Sequence, residues 1–395
     1  MANLRTIEQG NFSGKTVLVR VDFNVPLSGD VVSDDTRIMA ALPTINYLKE
    51  QGAKIVLMSH LGRPNGQGFQ PEFSLAPVAK HLASVIGEDV VFCPETIGEN
   101  AQALASGLNP GKIMLLENLR FDAREEQCDK EFSSELAAIA DVFVSDAFGC
   151  AHRSHASTVG VCEFLPSYAG FLLKGEVETL TSMLDNPKRP FVSILGGSKV
   201  SDKIQIIDAL IDKCDTIIIG GGMCFTFFMA QGYDVGTSLK EEDWVDRARE
   251  TLAKAKKAGV QFLLPVDVVA ADKFANDANI KLVKSDEIPH DMMGLDIGPD
   301  TTKLYSEAIR GAKSVFWNGP MGVFEMTSFE KGTKEVAKSV AENVQADTII
   351  GGGDSVAAVN KFNLADKMTF ISTGGGASMK LVQGDTLPGV ACLCE

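Results

Sequence analysis

No stretch of this sequence stays apolar for the roughly 18 residues that a bilayer-crossing helix needs, so a helical membrane span is excluded. The opening residues, Met1-Ala-Asn-Leu-Arg-Thr-Ile-Glu8, lack the apolar centre of a secretory signal. Basic residues are in deficit. There are 37 Lys and Arg against 52 Asp and Glu, for a net charge of −15. The balance is −10 over residues 1–185 and −5 over the remainder. Such a surface argues against nucleic acid or an anionic membrane as partner. Any bound anion must therefore be met by local basic side chains or backbone dipoles. The eight cysteines are scattered, with no C-x-x-C pair and no zinc-ligand spacing; Cys392 and Cys394 have one residue between them. These features describe a reduced, cytoplasmic protein.

Several chemical signatures are missing as well. Gly220-Gly-Gly-Met-Cys-Phe225 and Gly351-Gly-Gly-Asp-Ser-Val356 lack the last glycine of the dinucleotide fingerprint G-x-G-x-x-G. Gly10-Asn-Phe-Ser-Gly-Lys-Thr16 falls one residue short of a Walker A loop and precedes a strand instead of following one. The protein-kinase H-R-D motif is absent, and no Ser/Cys–His–Asp set is visible.

What is present is strand–helix alternation on a length of 395 residues, with 45% hydrophobic content. That length suits two or three domains with full cores. Short Val/Ile-rich runs recur at Thr16–Val21, Lys54–Met58, Ile113–Leu116, Asp141–Val144, Gln261–Leu264 and Ser314–Trp317. Continuous apolar runs, rather than alternating ones, suit parallel strands buried on both faces. Amphipathic segments such as Asp202–Asp212 and Asp243–Ala258 lie between strands, so the fold class is α/β, doubly wound. Four further strands end in glycine clusters: Gly196-Gly197, Gly220–Gly222, Gly351–Gly353 and Gly374–Gly376. Glycine turns that open helices let a phosphate approach backbone N–H groups closely. Leu173, Val177, Leu180 and Leu184 mark a helix over Gly170–Pro187, read as the lever between two α/β halves.

The arginines of the first half sit after strands. Asp22-Phe-Asn24 follows the first strand, with Arg37 beyond it. His60-Leu-Gly-Arg63 follows the second, Glu117-Asn-Leu-Arg120 the third, and Asp146 through Arg153 the fourth. In open α/β sheets ligands bind beyond these carboxyl ends. Arginine's planar fork suits phosphate and carboxylate. Arg37, Arg63, Arg120 and Arg153, with Asp22, Asn24 and His60, describe a pocket for a small hydroxylated polyanion. His152 and His155 are read as local hydrogen-bonding groups.

In the second half, Gly196-Gly-Ser-Lys-Val-Ser-Asp-Lys203 is expected to place Lys199 and Lys203 one helical turn apart, facing phosphates. Asp354 stands among phosphate-cradling amides, where a carboxylate would repel phosphate unless a cation bridges them. It therefore suggests Mg²⁺ held largely by substrate and water. Glu325 either accepts hydrogen bonds from ribose hydroxyls or is a surface glutamate.

Taken together, Arg20-Val-Asp-Phe-Asn-Val-Pro26, His60-Leu-Gly-Arg-Pro64, Glu117-Asn-Leu-Arg-Phe121, Asp146-Ala-Phe-Gly149 with Ala151-His-Arg153, Gly196–Lys203, Trp317–Glu325, Gly351–Asp354 and Thr373-Gly-Gly-Gly376 resemble the phosphoglycerate kinases over almost the whole chain. The resemblance implies two Rossmann-like domains: residues 1–170 binding 3-phosphoglycerate and residues 188–375 binding Mg-nucleotide. A hinge helix over 171–187 would join them, and 376–395 would return to the first domain. It implies reversible phosphoryl transfer from 1,3-bisphosphoglycerate to ADP by a monomeric, hinge-bending enzyme. The implied glycerate contacts are Asp22, Phe23, Asn24, Arg37, His60, Leu61, Gly62, Arg63, Arg120 and Arg153. The implied nucleotide contacts are Lys203, Gly220, Asn318, Glu325, Gly351, Gly352, Gly353, Asp354 and Ser355, with Asp354 on the metal. Arg37, Lys199 and Gly376 would act on the moving phosphoryl group. Cys150 departs from the threonine of the family pattern and Ser198 from its common alanine, and the tail Val390–Glu395 is unusual. The reaction needs no general base, because carboxylate and phosphate nucleophiles are already ionised at neutral pH. The non-enzyme alternative is a phosphometabolite-binding sensor on the same scaffold.

Overall fold

The computed structural model describes residues 3–394. It divides into two compact units, one running to Glu178 and resuming at Thr386, the other spanning Thr179–Asp385. Along the first unit lie β1 (Thr16–Arg20), a small hairpin of β2 (Leu27–Ser28) and β3 (Val31–Val32), then β4 (Lys54–Met58), β5 (Val90–Cys93), β6 (Ile113–Leu116), β7 (Val142–Ser145) and β8 (Ser167–Ala169). Six of these form a parallel sheet in the order β5-β6-β4-β1-β7-β8. Val19 pairs with Leu57 on one side and Val144 on the other. β6 and β7 are buried at every residue, which is why they read as continuous apolar runs. The chain turns to opposite sides of β1 to reach β4 and β7, so the crevice beyond Arg20 is a topological switch point, where such sheets bind ligands.

The second unit contains β9 (Phe191–Leu195), β10 (Thr216–Ile219), β11 (Gln261–Leu263), β12 (Asp267–Ala271), β13 (Ile280–Lys284), β14 (Met293–Ile297), β15 (Ser314–Asn318), β16 (Asp347–Gly351) and β17 (Phe370–Ile371). The main sheet is again six parallel strands, β11-β10-β9-β15-β16-β17. An antiparallel sheet of order β13-β12-β14 stands apart from it. Trp317 is fully buried in the core, its indole N–H donating to Gly319 O at 2.7 Å.

The helix marked by the leucine spacing forms as Phe171–Asp185, and Leu173, Val177, Leu180 and Leu184 are all buried. Its first turn is capped by Asp146, whose Oδ1 accepts from Leu172 N at 2.9 Å and Leu173 N at 3.3 Å. The contact boundary falls inside this helix, at Glu178 and Thr179, rather than at its ends. The C-terminal return also starts later than residue 376. The helix Gly376–Gln383 belongs to the second unit, where Ser378 meets Ser372 at 2.6 Å and Met379 Sδ lies 3.6 Å from Lys203 Nζ.

A second difference concerns the lysine pair. The helix expected from Asp202 begins at Ile204, so Lys203 is its N-cap and Lys199 lies outside it. Glu241 takes both Ser201 N (2.9 Å) and Ser201 Oγ (2.6 Å), and Gly197 adopts φ +115°. Together they hold residues 197–201 in a non-helical turn, and the lysines do not stack as a helical i,i+4 pair.

Candidate functional site

At the carboxyl edge of the first sheet, the post-strand loops meet in one hydrogen-bonded set. Arg37 Nη1 pairs with Asp22 Oδ2 at 2.7 Å. Asn24 Oδ1 accepts from Gly62 N at 2.8 Å, and Phe23 N donates to Ser59 Oγ at 2.9 Å. Arg120, buried, donates to Gly62 O at 2.9 Å while its Nε meets Glu126 at 3.0 Å. Asn118 ties this loop to the one before it by donating to Leu61 O at 2.7 Å and to Phe73 O at 2.9 Å. Arg63 is exposed and Arg153 half-buried, the latter 3.3 Å from His152 Nε2.

The centre of this set is a residue that the post-strand arginine pattern passed over. Arg20, the last residue of β1, is 1% exposed. Its Nε donates to Ser157 Oγ at 2.8 Å, its Nη1 to Val21 O at 2.5 Å, and its Nη2 lies 3.3 Å from His60 Nδ1 and 3.6 Å from Cys150 Sγ. Ser157 in turn donates to the buried carboxylate of Glu125 at 2.6 Å. A charged residue closing an otherwise apolar strand was the available signal. Burial, reinforced by Arg20, Arg120, Arg153 and Arg37, holds the His60 imidazole well below its ordinary pKa. His60 is therefore neutral. Because Nδ1 faces a guanidinium donor, the ring proton sits on Nε2, available to a ligand oxygen. Asp22, His60 and Cys150 cluster closely enough to hold a metal. The Arg20 guanidinium already contacts two of the three, however, so the cluster favours anions. Cys150 itself is buried, which pushes its thiol up to about 11 and leaves it protonated and unreactive.

In the second unit, the glycine turns after β9, β10 and β15 touch through their backbones. Gly197 N donates to Pro320 O, Gly221 N to Met321 O, and Met223 N to Gly197 O. A side chain on Gly196 would come within 2.0 Å of Pro320 O. Beside them Lys203 Nζ contacts Asn318 Oδ1, and burial lowers this lysine to about 8 against the opposing pull of Asp202 and Asp354. Asn318 is buried, and its Nδ2 has no partner among the described residues. The helix Gly353–Lys361 starts at this point with Gly352 at φ +87°, and Ser355 Oγ accepts from Gly319 N at 2.5 Å. Gly351 is buried at the end of β16, while Lys199, Gly353, Asp354 and Glu325 are exposed. Gly376 opens the helix after β17, behind Gly375 at φ +42°.

A cavity of about 500 Å³ adjoins this cradle, with Phe225, Leu239, Met293 and Val323 among its apolar walls and Glu325 and Asp354 at its polar side. Gly221 and Gly222 line it. Gly220 does not, because it is packed against Met321 and bonded to Leu195 O. The apolar wall residues come from distant segments and share no motif, so nothing in the linear sequence groups them.

The family model for phosphoglycerate kinase matches residues 7–385. A phosphoglycerate kinase of Clostridium tetani is 54% identical over 394 residues, covering 99% of this chain and 98% of that one. The cytosolic phosphoglycerate kinase 3 of Arabidopsis thaliana is 55% identical with the same coverage. Among solved structures, phosphoglycerate kinase from Coxiella burnetii superposes with a TM-score of 0.89 at 40% identity, covering 99% of this chain and 98% of that one.

The depressed Lys203 gives a proton-linkage test. With a pKa of about 8, Lys203 is largely neutral at a pH half a unit or more above that value, and a phosphate brought beside it raises the pKa again. ADP binding above that pKa should therefore take up a fraction of a proton, read as a buffer-dependent binding enthalpy. Lys203→Arg should remove the uptake. Buffer-independent binding enthalpy in the unmodified protein would show that Lys203 does not face the phosphates.

Proposed function

The chain belongs to the phosphoglycerate kinase family, and we propose that its two strand-edge sites divide that family's reaction between them. The enzyme is a phosphotransferase with a carboxyl acceptor, moving phosphoryl reversibly between 1,3-bisphosphoglycerate and ADP to give 3-phosphoglycerate and ATP. The observation that carries the glycerate assignment is the cationic set around a neutral His60. Arg37, Arg120 and Arg153 all act electrostatically on it. These forks, with Arg63, suit phosphate and carboxylate, while Asp22, Asn24 and His60 Nε2–H suit the remaining oxygens. The backbone of Phe23, Leu61 and Gly62 shapes the floor. No base is required, which agrees with a histidine held neutral and already hydrogen-bonded.

On the nucleotide side, Lys203, Asn318 and the helix start at Gly351–Ser355 take the phosphates, the apolar cavity takes the base, and Glu325 takes ribose hydroxyls. Asp354 is exposed at a helix N-terminus and enters no ion pair among the described residues, so it fits a Mg²⁺ held by one carboxylate, water and phosphate oxygens. When bound, that ion would neutralise phosphate charge. Arg37, the exposed Lys199 and the amides at Gly374–Gly376 would stabilise the transferring phosphoryl. The two ligands must meet in line with water excluded, so the helix Phe171–Asp185 is assigned as a hinge. A cytoplasmic location is proposed on the strength of the free cysteines and the cytosolic relative, and a monomer on the family resemblance alone.

In a coupled assay, the protein should form ATP from 1,3-bisphosphoglycerate and ADP; no ATP formation would overturn the function. Arg37→Ala should lower kcat by ~10²–10³ while leaving the Kd for Mg-ADP unchanged. Equal losses in both would count against its role at the phosphoryl group. With both ligands bound, small-angle scattering should report a smaller radius of gyration than for the free enzyme; an unchanged radius would rule out hinge closure.

A further inference from the structure

Four of the eight cysteines, Cys93, Cys150, Cys214 and Cys224, are buried. Among the half-buried ones, Cys162 and Cys392 lie 230 positions apart in sequence, yet their sulfurs are 3.1 Å apart. Both belong to the first unit. A disulfide needs ~2.05 Å between sulfurs, so closure asks for a movement of ~1 Å.

The approach is imposed by backbone anchors on both sides. The C-terminal segment is fixed by Gly389 N donating to Ala151 O at 2.9 Å and by Arg5 N donating to Leu393 O at 3.0 Å. Leu393 is fully buried, and Leu4 bridges Cys394 in antiparallel pairing. Opposite, the turn Gly160–Glu163 is tied by Val161 N to Ala156 O at 2.9 Å. Gly160 sits so close to Ser133 that a Cβ there would lie 2.0 Å from its hydroxyl oxygen. Both thiols point at one acceptor, Thr158 O, at 3.8 Å from Cys162 and 3.5 Å from Cys392. The two thiols share one S–H···S hydrogen bond, which lowers the Cys162 thiol, with further contributions from Ser167 and Arg5, and raises Cys392. Once one of the two thiols has exchanged with a disulfide, the other lies close enough to resolve it.

We propose that Cys162 and Cys392 form a reversible dithiol–disulfide site that fastens the C-terminal segment to the loop following Arg153. With a low-molecular-weight disulfide as oxidant, the thiolate of one of the two attacks one sulfur and expels one thiolate. The other then loses its proton, attacks the protein sulfur of the mixed disulfide and expels the second thiol. Two protein S–H bonds break and one S–S bond forms, and the small disulfide takes up the two electrons and two protons. The closed loop spans residues 162–392 and so includes the whole second unit. It restricts the unfolded chain strongly, and the oxidised protein is the more stable form.

The full-length protein, equilibrated with oxidised and reduced glutathione, alkylated and mapped by peptide mass spectrometry, tests this. The expected result is a single cross-linked Cys162–Cys392 peptide, reversed by dithiothreitol, with a higher unfolding midpoint in the oxidised form. Cys392→Ser should instead leave Cys162 as a glutathione mixed disulfide and cancel the rise in midpoint. A wild-type map showing Cys162 only as a mixed disulfide, or Cys392 joined to Cys394 or Cys128, would overturn the proposal, and so would an unchanged midpoint on cross-linking. Should the serine variant fail to fold, the wild-type map decides by itself.

Discussion

Backbone against backbone is the contact on which the candidate site of the second unit depends. The turns at Gly196-Gly197, Gly221 and Gly319-Pro320 approach so closely that a Cβ on Gly196, Gly221 or Gly319 would come within 2.0, 2.5 and 2.2 Å of a neighbouring carbonyl oxygen. Three parallel strands can end at one point only if their first loop residues carry no side chain. That convergence places the apolar cavity beside Asn318, Lys203 and the helix start at Gly353. Replacing any of the three glycines would push a strand end away from the others and open the cradle.

The first unit solves a different problem, that of collecting positive charge in a protein with net charge −15. Its solution is to bury guanidinium groups, Arg20 most completely and Arg120 beside it. Arg20 is held by Ser157, Val21 O and His60, with Glu125 behind Ser157. A buried charge is costly unless its hydrogen bonds are met, and here they are. Desolvation and the surrounding arginines keep His60 neutral, so its Nε2–H is a fixed donor that does not titrate near neutral pH. Protonating His60 in the folded state is unfavourable, so its contribution to stability is present above the unfolded pKa of ~6.5 and declines as pH falls below it.

Much of this was legible in the sequence. Continuous apolar runs located β1, β4, β6, β7, β9, β10, β15 and β16, and the leucine spacing located the helix Phe171–Asp185. Arginines placed after strands and glycines closing strands marked the two strand edges proposed as sites, because parallel sheets put ligands at one edge. Three things were not legible. Arg20 lay inside a strand and read as part of it. The antiparallel sheet of β12, β13 and β14 is poorly marked outside the Val268–Ala271 run of β12; β13 exposes Ile280 and Leu282 and has only Val283 buried. The lysine pair failed as a helical repeat because Glu241, 40 residues away, captures Ser201 and keeps the turn open. This last miss comes from a tertiary contact that local spacing cannot encode.

Calorimetric titration of Gly196→Ala with each ligand tests most directly the central claim, that each ligand site is built wholly within one unit. Mg-ADP binding should be lost, while the Kd for 3-phosphoglycerate should stay within roughly two-fold, as expected for sites that share no contacts. Loss of 3-phosphoglycerate binding in step with the nucleotide, or retention of both, would contradict it.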